Sequence, residues 1–359
     1  MEKKSKLSNR GGNILKISMI GAGGWGTALT HVLSKKHDSL FLYCRNEKKA
    51  EKLRKTRINE EYLPGVILSD TINISSDLEN VVKDADCVIL CTPSKAVEST
   101  VSQIEKYLKK DVITVCASKG LADNKGTRLS QVIAKKLSKV TNKIVALSGP
   151  NHAEEVGEDK PCATVAASCD EDAVRFVQDI FMSPMFRVYR SDDICGVEYA
   201  GALKNIIALA CGVQDGLGLG DNCRAALMTR GLTEITRFGI SFNAKMSTFL
   251  GLAGMGDLIA TCTSIHSRNY RAGRALSEGK TAKEIIESTS MVVEGIRTAK
   301  LVNEIAERKG IDMPITKEIC YLLEGKHSPQ ESLEVLMTRA KKSETEGYLF
   351  DKEEFFIKP

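Results

Sequence analysis

Lysine 204 sits in surroundings that single it out for chemistry. The segment Ala200-Gly201-Ala202-Leu203-Lys204-Asn205-Ile206-Ile207-Ala208-Leu209-Ala210-Cys211 is small and apolar except at Lys204 and Asn205. A surface helix shows a broad polar face, so this segment reads as a buried helix. A buried ammonium must either pair or lose its proton more easily. Desolvation draws a lysine pKa down from about 10.4 toward the working range of an acid–base catalyst. A structural lysine paired with a carboxylate is the alternative reading. Three other segments place polar groups where a small anion could be held. Lys119 stands between a strand end and a glycine in Ala117-Ser118-Lys119-Gly120-Leu121, and Asp257 is a lone carboxylate in the glycine-rich bend Leu252-Ala253-Gly254-Met255-Gly256-Asp257-Leu258. Arg268, between Ser267 and Asn269, suits a phosphate clamp because a guanidinium binds phosphate through two parallel hydrogen bonds. A charged helix start would explain the same residues.

These groups need a scaffold, and the first half of the chain supplies one. Ile17-Ser18-Met19-Ile20 runs straight into Gly21-Ala22-Gly23-Gly24-Trp25-Gly26 and then a helical pattern. In that order Gly21 permits a tight turn, Gly23 lets backbone approach a pyrophosphate, and Gly26 lets the helix pack on the sheet. The helix start then offers free amides and a positive dipole end to phosphate. After the next candidate strand comes Arg45, where NAD-selective sites usually carry Asp or Glu for the ribose 2′-hydroxyl. A guanidinium there suits a 2′-phosphate and favours NADPH over NADH, with a solvated surface arginine as the competing reading. Gly149-Pro150 predicts a turn, Asn151 an N-cap for a following helix, and His152, with no visible partner, a structural role.

Candidate strands over 15–20, 40–43, 71–74, 87–91, 112–116, 144–147, 163–167 and 186–189 alternate with amphipathic stretches, which predicts a parallel, doubly wound sheet. From residue 194 to 346 only helical periodicity remains. The fold class expected is therefore α/β: a Rossmann-like sheet domain over 14–193, then an all-α domain over 194–346. A disordered extension over 1–13 and a tail over 347–359 flank them.

Composition narrows the class of function. The net charge of +5, from 51 basic and 46 acidic residues, is mild and spread along the chain. It suits an anionic small molecule, and the absence of a dense basic run with interleaved aromatics argues against a nucleic-acid partner. The 11 cysteines are irregularly spaced with no C-x-x-C, so no metal site is expected and the reducing cytoplasm is the compartment indicated. No apolar stretch is expected to reach the roughly 18 residues of a membrane span.

Taken in order, these motifs resemble those of bacterial NAD(P)-dependent glycerol-3-phosphate dehydrogenases. The resemblance runs from about Lys16 to Glu344, through the glycine turn, Ser118-Lys119-Gly120, Ser148-Gly149-Pro150-Asn151-His152-Ala153 and Glu198-Tyr199-Ala200-Gly201-Ala202-Leu203-Lys204-Asn205. It continues through Gly254-Met255-Gly256-Asp257-Leu258, Ser267-Arg268-Asn269 and Leu336-Met337-Thr338-Arg339. The resemblance implies reversible reduction of dihydroxyacetone phosphate to sn-glycerol 3-phosphate by NADPH or NADH, supplying the backbone of membrane phospholipids. It makes Lys204 the acid–base residue, with Lys119 and Asp257 holding polar groups of the substrate and orienting Lys204. Ser267, Arg268 and Asn269 would grip the substrate, lined by Gly149 and Asn151. Gly24, Trp25, Arg45, Lys119, Ala153, Arg268, Val292 and Glu294 match cofactor positions, and Tyr62 the adenosine end. Two positions depart from the family pattern: Asn151 replaces the more usual Ser or Thr, and Gly24 replaces Ser, leaving only backbone to bind phosphate there. A homodimer is compatible with the resemblance, and the oligomeric state stays open. The rival readings are a two-domain dehydrogenase acting on a 3-hydroxy acid or ketopantoate, and a non-catalytic nucleotide sensor.

Overall fold

The computed structural model describes residues 14–289 and 292–344, so the expected extension over 1–13 and tail over 347–359 lie outside the described residues. Among the described residues ten strands form: β1 (Ile17–Ile20), β2 (Leu40–Tyr43), β3 (Ile58–Asn59), β4 (Leu63–Ile67), β5 (Ile72–Ser75), β6 (Cys87–Leu90), β7 (Ile113–Cys116), β8 (Ile144–Ser148), β9 (Cys162–Ala167) and β10 (Phe186–Ser191). Eight of them make one sheet in the order β10-β9-β8-β7-β6-β1-β2-β5, while β3 and β4 pair as a separate hairpin. The central strands β1, β6 and β8 are buried along their whole length, which is why they read as unbroken apolar runs rather than alternating ones.

One expectation needs correcting: the sheet is mixed. β8 and β9 pair antiparallel, Leu147 opposite Ala166 and Ser148 opposite Val165. A parallel neighbour requires a crossover, usually through a helix that spans the sheet. The link from β8 to β9 holds only the five-residue helix Ala153–Gly157, so the chain turns back at the same end of the sheet. Gly149, Asn151 and Ala153 consequently stay at the carboxyl ends of the parallel strands, where ligands of open α/β sheets bind. The β3–β4 hairpin was not anticipated, because its register shifts between Ile58 and Asn59 and β4 carries Pro64 and Gly65.

Beyond β10 the described chain is helical. Asp193 starts the long helix Ile194–Gly216: one carboxylate oxygen accepts from Gly196 N at 2.8 Å, the other from Lys245 N at 2.9 Å and Thr248 Oγ1 at 2.6 Å. Its best 18-residue window has mean hydropathy 1.4, so the expectation that no segment is long and apolar enough to cross a membrane is also corrected. Protein neighbours bury 83% of that window. The helix Arg268–Ser277 lies against it backbone to backbone: a Cβ on Gly212 would sit 2.0 Å from Tyr270 O, and one on Gly273 2.0 Å from Leu209 O. That approach tolerates no side chain at either position. It sets Ser267, Arg268 and Asn269 beside the helix carrying Lys204.

Candidate active site

Lys204 is 7% exposed, in the middle of its helix, and its partners come from the helix Asp257–Thr263. Its Nζ donates to Asp257 Oδ1 and, at 2.6 Å, to Thr261 Oγ1. Asp257 turns its second oxygen to Lys119 Nζ at 2.6 Å, and Lys119 also donates to Gly149 O at 3.2 Å. A single buried carboxylate therefore joins two lysines, one following β7 and the other on the helical side. Asp257 opens a regular helix rather than sitting in the bend expected; a π-helical turn over Leu252–Gly256 precedes it.

Electrostatics follow from this arrangement. Burial is the largest influence on Lys204 and draws its pKa down to about 8; Asp257 opposes the shift and the charge of Lys119 adds to it. Burial works against ionisation of Asp257, but Lys119 and then Lys204 outweigh it and hold the carboxyl below its ordinary value. Thr261 donates to Asp257 O at 2.6 Å, which directs its lone pairs toward the Lys204 ammonium. Glu198 anchors the same helix to the sheet domain, accepting from Arg128 Nη1 at 2.7 Å and Ser130 N at 2.8 Å.

The glycine turn has the geometry a pyrophosphate requires. Gly21 has φ +118°, and a Cβ on Gly26 would meet Gly21 O at 2.0 Å. Nothing lies within 4 Å of a Cβ placed on Gly23, and no side chain caps the helix Gly24–Ser34 that it starts. The first amides of that helix thus remain available to an anion. Asn59 fixes the turn by donating to Ala22 O at 3.0 Å and Thr27 Oγ1 at 2.8 Å. The unforeseen hairpin brings Tyr62 to the same place: Tyr62 O and the Ala153 methyl lie 2.7 and 3.6 Å from a Cβ placed on Gly24. Trp25 packs half-buried against the sheet core. Arg45 is exposed past the end of β2 and makes no hydrogen bond or ion pair among the described residues. These features fit the phosphates of a dinucleotide.

The remaining expected residues divide by what already occupies them. Ser267 caps the helix Arg268–Ser277 through Tyr270 N at 3.2 Å. Asn269 links two elements, donating to Asn205 Oδ1 at 2.8 Å and accepting from Gly295 N at 2.9 Å. Arg268, exposed at the first position of its helix, has no hydrogen bond or ion pair among the described residues, and Glu294 and Glu154 are the carboxylates nearest its charge in effect. Asn151 does not cap the next helix: His152 holds that position without a side-chain bond, while Asn151 Nδ2 donates to Ala163 O at 3.0 Å. Its Oδ1 is left buried with no partner among the described residues, as are Ser148 Oγ and Thr92 Oγ1 at neighbouring strand ends. His152 is an anchor, its Nε2 donating to Ala260 O at 3.0 Å. Val292 is half-buried just ahead of the helix Glu294–Lys309, and Glu294 accepts from Ser94 N at 2.9 Å and Ser94 Oγ at 2.8 Å. Thr261, Ser94 and Arg297 were not foreseen. Thr261 stands one helical turn after Asp257, and that spacing would have revealed it once a helix was assigned there.

A phosphate-binding sheet end facing a buried lysine in a helical domain defines a two-domain, dinucleotide-dependent dehydrogenase. Residues 16–174 match the model of the NAD-dependent glycerol-3-phosphate dehydrogenase N-terminus, and residues 193–334 that of the C-terminus. The chain belongs to the NAD-dependent glycerol-3-phosphate dehydrogenase family. It is 47% identical over 331 residues to the glycerol-3-phosphate dehydrogenase [NAD(P)+] of Moorella thermoacetica, covering 92% of this chain and 98% of that one. Against the enzyme of the same name from Shouchella clausii it is 45% identical over 334 residues, with the same coverage. The crystal structure of glycerol-3-phosphate dehydrogenase from Coxiella burnetii superimposes with a TM-score of 0.86 at 34% identity, over 91% of this chain and 99% of that one.

Proposed function

We propose that the chain interconverts dihydroxyacetone phosphate and sn-glycerol 3-phosphate, with Lys204 as the proton donor and acceptor. The observation that carries this reading is the buried Lys204–Asp257–Lys119 array at the mouth of a dinucleotide fold. Bound NADPH or NADH supplies the hydride. Residues 14–193 serve as the cofactor domain and 194–346 as the substrate domain.

In the reducing direction Lys204 donates its Nζ proton to the oxygen of the C2 carbonyl, and its charge stabilises negative charge developing there. Asp257 and Thr261 hold the ammonium in one orientation, and Asp257 keeps Lys119 as its counter-charge when Lys204 gives up its proton. Lys119 faces the substrate's polar groups, being the more exposed of the two lysines, 21% against 8% for the side chains. Arg268 receives the phosphate with its guanidinium, which has no ion pair among the described residues, and Ser267, Asn269, Gly149 and Asn151 line the same space. Phosphate binding remote from C2 fixes the reacting carbon and so contributes to rate as well as affinity. Gly21, Gly23, Gly24, Trp25, Gly26, Lys119, Ala153, Arg268, Val292 and Glu294 would hold the cofactor, with Arg45 and Tyr62 at its adenosine end.

Eleven free cysteines, with no disulfide, support a reducing compartment, the cytoplasm, where the product would feed phospholipid synthesis. A homodimer is the assembly proposed. The reading is tested by NADPH oxidation with dihydroxyacetone phosphate beside unphosphorylated ketones of similar size. Turnover far faster with the phosphorylated ketone supports it, and equal turnover of dihydroxyacetone refutes it.

A further inference from the structure

The helix Glu294–Lys309 belongs to the helical half, yet one of its faces is bonded along its length to the sheet half. Near its start Glu294 takes both the amide and the hydroxyl of Ser94, in the loop after β6. One turn on, Arg297 Nη1 donates to Leu121 O at 2.6 Å and Ser94 Oγ at 3.2 Å, and its Nη2 donates to Ala122 O at 2.8 Å. Farther along, Glu304 Oε2 accepts from Asn124 Nδ2 at 3.3 Å and Arg308 Nη2 donates to Asn124 O at 2.6 Å. The acceptors on the sheet side are mostly main-chain carbonyls of the segment that follows β7. That segment begins with Ser118 and Lys119, and Leu121 carries it into the helical core.

We propose that Arg297 is a positioning residue that holds the loop carrying Lys119, and through it sets the Lys119–Asp257–Lys204 array. Three observations converge on this role. Arg297 grips the carbonyls of the two residues that follow Lys119-Gly120, with the planar two-nitrogen geometry a lysine lacks. Lys119 in turn is the residue of that loop that reaches Asp257, at 2.6 Å. The same guanidinium and Glu294 both close on Ser94, so the loops after β6 and β7 are fixed by one helical turn. Without Arg297 the Lys119 loop keeps the Leu121 side chain in the core but loses the bonds that set its height over the cleft. A displacement of about 1 Å at such a contact costs up to about a hundredfold in rate.

The inference rests on the reading of Lys119 given above, and a double-mutant cycle separates the two. The variants are Arg297→Met, Lys119→Met and the pair, assayed for NADPH-dependent reduction of dihydroxyacetone phosphate. Arg297→Met is expected to lower kcat/KM for the ketone, measured at saturating NADPH, by about ten- to a hundredfold and to move the alkaline limb of the rate profile to higher pH. In the Lys119→Met background the same change is expected to cost less than twofold, because the residue through which Arg297 acts is gone. Losses that multiply in the double variant, or an Arg297→Met enzyme within twofold of the parent, overturn the proposal. A Lys119→Met enzyme with parental activity refutes instead the role of Lys119. Should Arg297→Met fail to fold, Arg297→Lys enters the same cycle, with a smaller loss that must also vanish without Lys119.

Discussion

Lys119 Nζ and Asp257 Oδ2 meet at 2.6 Å although one follows a strand of the sheet half and the other opens a helix of the helical half. The contact closes the cleft on one side and makes the catalytic lysine's environment depend on both halves at once. Its chemical consequence is a Lys204 that is buried, paired, and still lowered to a pKa of about 8.

That value predicts the pH dependence. The ammonium is the active form for reduction, so kcat/KM for dihydroxyacetone phosphate is level below about pH 8 and falls about tenfold per pH unit above it. The neutral amine is the active form for oxidation, so kcat/KM for glycerol 3-phosphate rises through the same pH. Steady-state rates in both directions between pH 6 and about pH 10 check the mirror relation.

Neighbouring charges move this limb in opposite senses. The Asp257 carboxylate favours the charged lysine, so Asp257→Asn shifts the limb to lower pH; Lys119 disfavours it, so Lys119→Met shifts the limb to higher pH. Asp257→Asn is also destabilising, by about 3–5 kcal/mol, because two ammonium groups lose a buried counter-charge. Chemical denaturation alongside the rate profiles measures both effects.

Arg268 has no hydrogen bond or ion pair to release among the described residues, so Arg268→Gln leaves the fold intact. The expected loss is about ten- to a hundredfold in kcat/KM for dihydroxyacetone phosphate. Residual turnover of unphosphorylated dihydroxyacetone, measured at saturating NADPH, falls far less, since there is no substrate phosphate for the guanidinium to hold.

Arg45 is exposed past the end of β2 and has no hydrogen bond or ion pair among the described residues. Arg45→Asp is expected to raise KM for NADPH by about ten- to a hundredfold while leaving KM for NADH within about threefold. Parallel titrations with the two cofactors decide it.

Much of this was legible in the residues themselves. Strands such as Leu40–Tyr43 and Cys87–Leu90 are fully or half buried, so their apolar runs show directly, and the glycine turn between β1 and its helix carries a spacing dictated by sterics. Lys204 stood out because an ammonium in an apolar helix is costly. The antiparallel β9 was hidden, because strand direction depends on where the β8–β9 link travels and not on the composition of Cys162–Ala167. The helix at Asp257 was masked by Gly254 and Gly256, which disfavour an isolated helix but here lie in a π-helical turn packed on Phe249. Arg297 acts through contacts between segments far apart in the chain and has no local signature, whereas Thr261 shows only as the residue one turn after Asp257 once a helix is assigned there.

The central claim is that Lys204 moves the proton, and Lys204→Ala tests it most directly. NADPH binding is measured by fluorescence titration and single-turnover reduction of dihydroxyacetone phosphate by absorbance, both on the same sample. Cofactor affinity is expected within about twofold of the parent and the rate lower by about 10²- to 10⁴-fold. A Lys204→Ala enzyme that reduces the ketone at the parental rate would contradict it.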